Sequence, residues 1–191
     1  TLRQFETHEG LNAYFDHAAQ ESVRHIVGVQ FRNCATMGGS VWLRAGFSDP
    51  LTLLLAMDCT VELYQGEDKL VQIPIAEFCR QKPDNSILTA VHIQKTGRKI
   101  AYQSFRNTET DFPVLTAAVS VKDGKYCAAV GARPMRAREV YADNIPELIE
   151  QAKELPYQNN IRASAEYRRM LSGVLIQRAA DELERIGTNG N

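Results

Sequence analysis

A pair of adjacent glycines flanked by hydroxyl side chains is the part of the sequence best suited to chemistry. Gly38 and Gly39 lie between Thr36 and Ser40, with Met37 inside the group. Glycine tolerates positive φ angles and lets a ligand approach the backbone closely. Consecutive backbone N–H groups beside two hydroxyls can form a concave anion site that holds a phosphate without a lysine. The group therefore suggests a phosphate site.

A Ser-Asp pair follows further along the chain and could complete such a site. The hydroxyl of Ser48 and the carboxylate of Asp49 are suited to ribose hydroxyls or further phosphate contacts. Taken alone, however, a glycine pair between Thr and Ser is more often a turn than a phosphate site. The segment contains neither the Walker pattern GxxxxGK(S/T) nor the dinucleotide pattern GxGxxG. At this level both the turn and the phosphate site remain open.

Metal and nucleophile chemistry has little support in the sequence. His17 and His25 are not at the i, i+4 spacing of a helical metal pair, and no local motif supports a Ser/His/Asp or Cys/His arrangement. The cysteines form no CxxC pair, so this chain is not expected to hold zinc or an iron–sulfur cluster. Free, mostly buried thiols in a reducing cytoplasm are the expectation for all of them, namely Cys34, Cys59, Cys79 and Cys127.

Five arginines near the C-terminal part could form a basic cluster. Arg133, Arg136 and Arg138 are close in sequence, and Arg168 and Arg169 follow on a predicted helix. Such a cluster could attract an acidic surface or the phosphates of a nicotinamide cofactor. A solvated, partly paired face is the more common outcome.

The elements that must position the glycine pair are predicted from hydrophobic periodicity. Apolar residues at helical spacing predict an amphipathic helix over 9–27, followed by an irregular, glycine-bearing stretch over 28–50. The apolar run 51–57 follows Asp49-Pro50, a favourable helix start, and is predicted to be helical. Two alternating runs at 61–64 and 70–74 predict a β-hairpin, which a short turn at 75–78 follows.

The second half of the chain alternates in the manner of strands and then becomes helical. Strands are predicted at 87–93, 99–105, 114–121 and 126–132, the last two joined through Asp123-Gly124, a strong hairpin signal. Helices are predicted near 145–154 and 164–186, with Gly187 as C-cap. The natural division falls near residues 94–97, between a mixed α/β piece and a hairpin sheet backed by two helices.

Composition restricts the class of protein. The chain has 191 residues, 44% of them hydrophobic and 24% charged, which is typical of a globular protein. A net charge of −1 gives no overall attraction to nucleic acid or anionic membranes. No apolar run is long enough for a membrane span. The chain starts without Met or a signal region, so it is expected to be the middle of a longer protein.

Several motifs in this order resemble the FAD-binding (medium) subunit of the molybdenum hydroxylases, the xanthine dehydrogenase and carbon monoxide dehydrogenase family, with its N-terminal FAD subdomain missing. The segment RNCATMGGS at 32–40 resembles RNxATxGGN, and a Ser-Asp pair and the run LAMD at 55–58 follow it as in the family. Further on, DFP at 111–113, GARPMRA at 131–137 and SAEYRR at 164–169 match family motifs. The resemblance extends over most of the chain.

The resemblance implies an α+β fold in two parts. Residues 1–95 would be the second subdomain of a PCMH-type FAD-binding domain, and residues 96–191 a small C-terminal domain like that of the CO dehydrogenase flavoprotein, with an antiparallel sheet packed on helices. The family position of the pyrophosphate and ribityl contacts falls on Thr36, Met37, Gly38, Gly39 and Ser40. The remaining family contacts fall on Ser48, Asp49, Leu88 and Gln103.

This chain departs from the family pattern at several positions. Ser40 stands where the family often has Asn, and Gln103, or alternatively Ser104, stands where many members have a lysine near the flavin. Phe112 would cover the flavin ring or fill the core, and the same two alternatives hold for Trp42. Arg32 and Asn33 are expected to brace the loop rather than to touch flavin.

The resemblance also implies a function. The chain would be an electron-transfer flavoprotein subunit of a cytoplasmic, xanthine dehydrogenase-like oxidoreductase, with FAD as its cofactor. Its partners would be a molybdopterin-binding large subunit and a small subunit with 2Fe–2S clusters, and the electrons would reach NAD+ or another acceptor. The alternative is a non-catalytic fragment that packs against partner subunits without retaining flavin. A flavin oxidase of the vanillyl-alcohol-oxidase type is less favoured, because no substrate-side residues or flavin attachment motif are recognisable.

Overall fold

The N-terminal third of the protein is a group of short helices. The computed structural model describes residues 1–189, with side chains through residue 187, so the end of the predicted domain 96–191 lies outside the described residues. None of the described helices has the length and apolar composition needed to cross a membrane. The first six helices are α1 (Leu2–Glu6), α2 (Glu9–Tyr14), α3 (Ala18–Val23), α4 (Gly28–Cys34), α5 (Met37–Trp42) and α6 (Asp49–Leu55).

The single amphipathic helix predicted over 9–27 is wrong, because the chain breaks between α2 and α3. Asp16 and His17 have φ angles of 48° and 63°, which an α-helix cannot accommodate. The buried Asn12 stabilises the break: its side-chain amide donates to the carbonyl of Glu6 and its Oδ1 accepts from the backbone N–H of Gln20. The prediction of an irregular stretch over 28–50 is also wrong in part, since α4 and α5 lie inside this range.

A three-stranded antiparallel sheet follows the helices and confirms the predicted hairpin. Its strands are β1 (Cys59–Tyr64), β2 (Leu70–Pro74) and β3 (Ile87–Ile93), in the order β2-β1-β3. Alternate residues of β1, including Val61 and Leu63, are buried against the helices. The turn predicted at 75–78 is instead a helix, α7 (Ile75–Arg80), whose N-cap is Pro74.

A second, four-stranded antiparallel sheet has the simple order β4-β5-β6-β7. Its strands are β4 (Lys99–Phe105), β5 (Leu115–Lys122), β6 (Lys125–Gly131) and β7 (Arg138–Ala142). The predicted hairpin at Asp123-Gly124 is confirmed, with positive φ at both residues, as a type I′ turn requires. The sequence analysis did not predict β7, which pairs with β6 from Arg138 to Ala142.

The four-stranded sheet is covered on both faces. Successive residues of a strand point to opposite faces. Ile100 and Tyr102 accordingly belong to a core shared with the N-terminal helices, whereas Ala101 belongs to a core beneath α8 (Ile145–Lys153) and α9 (Ala165–Asn189). The two predicted helices are therefore confirmed. Gly187 does not cap the second one, because α9 continues through it to Asn189.

The two halves of the chain share one of these cores. The hydroxyl of Thr52 on α6 lies 3.1 Å from that of Thr116 on β5, and both side chains are fully buried. Gly131 on β6 lies directly beneath them, so that a Cβ atom there would overlap both hydroxyl oxygens. The predicted division near residue 95 therefore falls between the two sheets, but the parts on either side of it pack against each other. The division into two domains stays a prediction.

This packing predicts that Gly131→Ala destabilises the protein. The added methyl group overlaps Thr52 and Thr116, and overpacking of this kind costs roughly 1–3 kcal/mol. The matched control is Gly187→Ala on α9, where the nearest atom to a new Cβ is 3.9 Å away. We expect chemical denaturation to show a lower free energy of unfolding for Gly131→Ala and an unchanged or higher one for Gly187→Ala. Equal stability of the two variants would contradict the packing.

Candidate functional site

A concave site lies where the helical group meets the loop after β4. It is a cavity of about 510 Å³, within the range of ligand sites in proteins. The start of α6, the region of α5 and the segment 25–27 form one side of it. The loop between β4 and β5 forms the other. Five of the nine predicted cofactor-binding residues line it, namely Thr36, Gly39, Ser40, Ser48 and Asp49.

The glycine pair forms a helix N-terminus rather than an irregular turn. Thr36 is the N-cap of α5, and its Oγ1 accepts a hydrogen bond of 3.0 Å from the backbone N–H of Gly39. The hydroxyl of Ser40 donates to the carbonyl of Thr36 at 3.0 Å. Neither Gly38 nor Gly39 has a positive φ angle, so the expected left-handed geometry is not present. What glycine provides here is bare backbone, since no atom lies within 4 Å of a Cβ built at Gly38.

The Ser-Asp pair begins the next helix and closes the inner end of the cavity. Ser48 is the N-cap of α6, where its Oγ accepts from the backbone N–H of Leu51 and donates to the carbonyl of Ser40. This second bond ties the start of α6 to α5. Pro50 then occupies an early helical position that it favours. Asp49 is 4% exposed and points into the protein rather than to solvent.

Asp49 is part of a buried polar cluster at the cavity wall. Its Oδ1 accepts a hydrogen bond of 2.7 Å from the hydroxyl of Tyr102 and one of 2.5 Å from the Nη2 of Arg106. Burial raises the pKa of the Asp49 carboxyl, and the two donors oppose that shift. Burial and the adjacent carboxylate together raise the pKa of Tyr102, which therefore remains a hydrogen-bond donor. Both donors therefore bind the same oxygen of the Asp49 carboxylate.

The remaining predicted residues do not line the cavity. Met37 packs on the hydrophobic core, and Gly38 is exposed at the start of α5. Leu88 lies on β3, paired with Leu63, and packs against the same core. Gln103 points to the opposite face of β4, where its amide donates to Glu182 of α9 at 2.7 Å. The structure therefore brings Thr36, Gly39, Ser40, Ser48 and Asp49 together and leaves these four outside.

Comparison with known proteins decides the family. Residues 1–96, half of the chain, match the family described as the FAD binding domain in molybdopterin dehydrogenase. The chain belongs to this family. The predicted resemblance and its α+β fold are thereby confirmed, and FAD is the cofactor of the family.

Relatives and solved structures agree with the family. The uncharacterized protein YgfM of Escherichia coli K12 is 28% identical over 166 residues, which are 83% of this chain but only 62% of YgfM. Quinoline 2-oxidoreductase from Pseudomonas putida 86 has a TM-score of 0.82 at 17% identity, covering 97% of this chain and 72% of its own. Reconstituted CO dehydrogenase from Oligotropha carboxidovorans has a TM-score of 0.79 at 19% identity, with 95% and 71% covered. At these identities the two structures show a shared fold.

The cavity contains residues that the sequence analysis did not assign to the site. Arg106 lines it with a side chain that is 7% exposed, and His25 lies on the other side. Burial and nearby arginines lower the pKa of His25. Period-2 alternation could have indicated Arg106, because it continues the face of β4 that carries Tyr102 and Ser104. The family resemblance points instead to Gln103, on the other face, or alternatively to Ser104, as the counterpart of the family lysine.

The aromatic and arginine alternatives are settled by packing. Phe112 is 52% exposed and meets the ring of Phe47 edge to face at 4.7 Å, so it belongs to the cavity rim and not to the core. Trp42 packs on the first core beside Phe78. Arg32 braces the segment as predicted, since its guanidinium donates to both carboxylate oxygens of Glu6 and to the carbonyl of Ile26.

The prediction of free, mostly buried thiols is confirmed. All four cysteines are free, three are buried, and burial raises the pKa of Cys59 and Cys127 to about 12. Within the described residues no group of three or more His, Cys, Asp or Glu side chains could hold a metal ion.

The buried cluster predicts that Arg106→Met destabilises the protein strongly. The substitution leaves the Asp49 carboxylate buried without its cation, and breaking such a pair costs roughly 3–5 kcal/mol. Asp49→Asn in the same chain removes the unpaired charge, so we expect the double variant to recover part of the loss. Urea unfolding followed by circular dichroism measures the three free energies. If the double variant is no more stable than Arg106→Met alone, the ion pair does not have this role.

Proposed function

We propose that this chain forms one wall of the FAD site in an electron-transfer subunit of a molybdenum hydroxylase. The observation that carries the proposal is the cavity between α5, α6 and the loop after β4. It combines the glycine backbone at Gly39, a buried carboxylate at Asp49 and largely apolar walls. The family match over residues 1–96 supports FAD as the group that this cavity holds.

The residues at the cavity fit a flavin nucleotide in their chemistry. We assign the segment of Thr36, Met37, Gly38, Gly39 and Ser40 to its phosphate and ribityl part, because the two glycines carry no side chain and the Met37 side chain packs on the core, which leaves the backbone N–H groups of this segment accessible. Ser40 donates its hydroxyl to Thr36, so without rotating it offers a ligand only acceptor lone pairs.

The Ser-Asp pair has a different part in the proposal. The Oδ2 of Asp49 has no side-chain donor among the described residues, whereas Oδ1 has two. We therefore assign Oδ2 as the acceptor for a ligand hydroxyl, with Ser48 holding α6 in place. Leu88 remains a proposed backbone contact. Gln103 is excluded from direct contact by its bond to Glu182 on the far face of β4.

Bound FAD would supply the redox chemistry, and the protein would supply position and electrostatics. Apolar side chains such as Phe31, Leu43 and Phe47 restrict water on the open side of the cavity. The positive charge of Arg106 offsets the negative charge of Asp49, so this wall is nearly neutral. No side chain here acts as acid, base or nucleophile in the proposal.

The activity of the whole protein is a further part of the proposal, since the chain spans 62% of the length of its relative YgfM. We propose partners that carry the molybdopterin and the 2Fe–2S clusters, and NAD+ or another electron acceptor beyond the flavin. A similar structure, carbon monoxide dehydrogenase from Hydrogenophaga pseudoflava, was solved in a form that lacks the Mo-pyranopterin moiety of the molybdenum cofactor. The molybdenum cofactor of that protein therefore contains this moiety, which supports a molybdopterin-carrying partner for this chain. A cytoplasmic location, favoured by the free thiols, belongs to the same proposal.

A second candidate is supported by the apolar rim of the cavity. Val27, Phe31, Leu43, Phe47 and Phe112 are between 46% and 69% exposed and lie close together. An exposed patch of this kind is typical of a surface that another protein unit covers. In this alternative the chain packs against partner subunits and does not retain flavin by itself, because an open cavity buries too little of the cofactor.

Titration of the purified chain with FAD, followed by flavin fluorescence, tests the proposal and separates the two candidates. Saturable binding supports the proposal that the chain forms one wall of the FAD site, and no binding supports the packing role. Gly38→Ala is the sharp variant, because its methyl group meets no protein atom within 4 Å and is added directly before Gly39, which lines the cavity.

We expect Gly38→Ala to weaken FAD binding by about tenfold or more, with unchanged or slightly higher stability because alanine favours helices. Gly187→Ala on α9 is the control, since it adds the same methyl group to a helix far from the cavity. Unchanged FAD affinity in Gly38→Ala would reject the assignment of α5 to the phosphates.

A further inference from the structure

A second cavity lies behind the aromatic rim of the first. Its volume is about 470 Å³, and the edge-to-face pair of Phe47 and Phe112 contributes to both cavities. Pro134 and Met135 form an apolar wall on the side away from the first cavity. The polar groups that line it are Arg136, Asn160 and Arg162.

Positive charge accumulates around this second cavity without matching carboxylates. Arg136 donates to the carbonyls of Cys79 and Gln81, at 2.9 and 3.0 Å, and Arg133 donates to the carbonyls of Pro156 and Arg136. Neither guanidinium forms an ion pair with any carboxylate in the part of the chain whose side chains are described. Carbonyl dipoles satisfy the hydrogen bonds of a guanidinium but leave most of its charge in place.

A third arginine has the same kind of environment. Arg44 donates to the carbonyls of Trp42 and Phe78 and lies 3.6 Å above the ring of Phe78, again without an ion pair in the described residues. Burial and the nearby charge of Arg136 lower its pKa, so the two guanidinium groups are close enough to repel each other. An anion near Arg136 would relieve that repulsion.

The most buried of these charges also has an unsatisfied atom. Arg133 is 1% exposed, and its Nε has no hydrogen-bond partner. It lies between Ala132 and Pro134, both of which line the cavity. Unpaired buried charge of this kind is costly unless an opposite charge comes near.

The carboxylates in the neighbourhood are already engaged. Asp111 accepts both hydrogen bonds of the Arg162 fork, at 2.7 and 3.0 Å. Glu139 is paired with Arg80. Asp84 accepts from the backbone N–H of Ser86 and acts on Arg44, whose pKa its charge raises, but it does not line the second cavity. Of the five arginines in the basic cluster predicted from the sequence, Arg133 and Arg168 are buried, and Arg136, Arg138 and Arg169 are exposed. Among these five, Arg136 is the one that lines this cavity.

We propose that this cavity binds a small planar anion, of the class of aromatic carboxylates, with its charge toward Arg136 and its ring against Phe47 and Phe112. The volume suits a single ring rather than a macromolecular segment. An aromatic ring packs favourably edge to face against Phe side chains. The charged residues of this site do not line the first cavity, whereas Phe47 and Phe112 line both cavities.

Methionine methyl NMR on the chain without FAD tests this site directly. The chain has four methionines, and Met135 is the one that lines the second cavity. Titration with benzoate should move the Met135 methyl signal in a saturable manner and leave those of Met37 and Met170 in place. Met135→Leu assigns the signal. Benzamide, a neutral molecule of the same shape, and inorganic phosphate, an anion without a ring, should each bind at least about fivefold more weakly.

Variants of two neighbouring arginines give the matched comparison. Arg136→Met should weaken benzoate binding about fivefold or more, whereas Arg138→Met removes the same charge from an exposed residue outside the cavity and should have little effect. If Arg136→Met does not fold, Arg136→Lys keeps the charge and should retain most of the binding. No shift at Met135, equal binding of benzamide or phosphate, or equal losses in the Met variants at 136 and 138 would overturn the proposal.

Discussion

The buried ion pair between Asp49 and Arg106 is the interaction on which the geometry of the site depends. Asp49 belongs to the first turn of α6, and Arg106 begins the loop that follows β4. Tyr102, on β4 itself, donates to the same carboxylate oxygen. A helix start, a strand and a loop are thereby fixed relative to one another. Because a buried charge without its partner is costly, all three elements must be in place before the cavity has its shape.

The four-stranded sheet extends this constraint to the rest of the fold. One face of the sheet packs on α6, where the hydroxyls of Thr52 and Thr116 meet above Gly131, and the other face packs on α8 and α9. A sheet that is buried on both faces cannot move away from α6 without exposing apolar side chains. The position of the glycine helix α5, tied to α6 through Ser48 and Ser40, follows from the same packing. The buried Arg133 has no carboxylate partner among the residues whose side chains are described, and its neighbours Ala132 and Pro134 line the second cavity.

Strands and long helices were largely predictable, and short helices were not. The strands at 87–93 and 99–105 have the bounds that alternation predicts, because the alternating pattern extends over seven residues in each strand. By contrast, α4, α5 and α7 are six or seven residues long, too short for a periodic pattern to be distinguished from a turn. The break between α2 and α3 depends on hydrogen bonds that Asn12 makes to residues six positions before and eight positions after it.

The sequence by itself determined the family and pointed to five residues that line the cavity, because short motifs carry that information locally. These residues are Thr36, Gly39, Ser40, Ser48 and Asp49. Only the tertiary structure decided which face of β4 meets the cavity. Arg106 and Tyr102 lie on that face, and Gln103 does not, since α9 covers the other side and pairs with it through Glu182. Residues that are adjacent in a strand point in opposite directions. Which of the two faces meets the cavity depends on packing between elements that are distant in sequence.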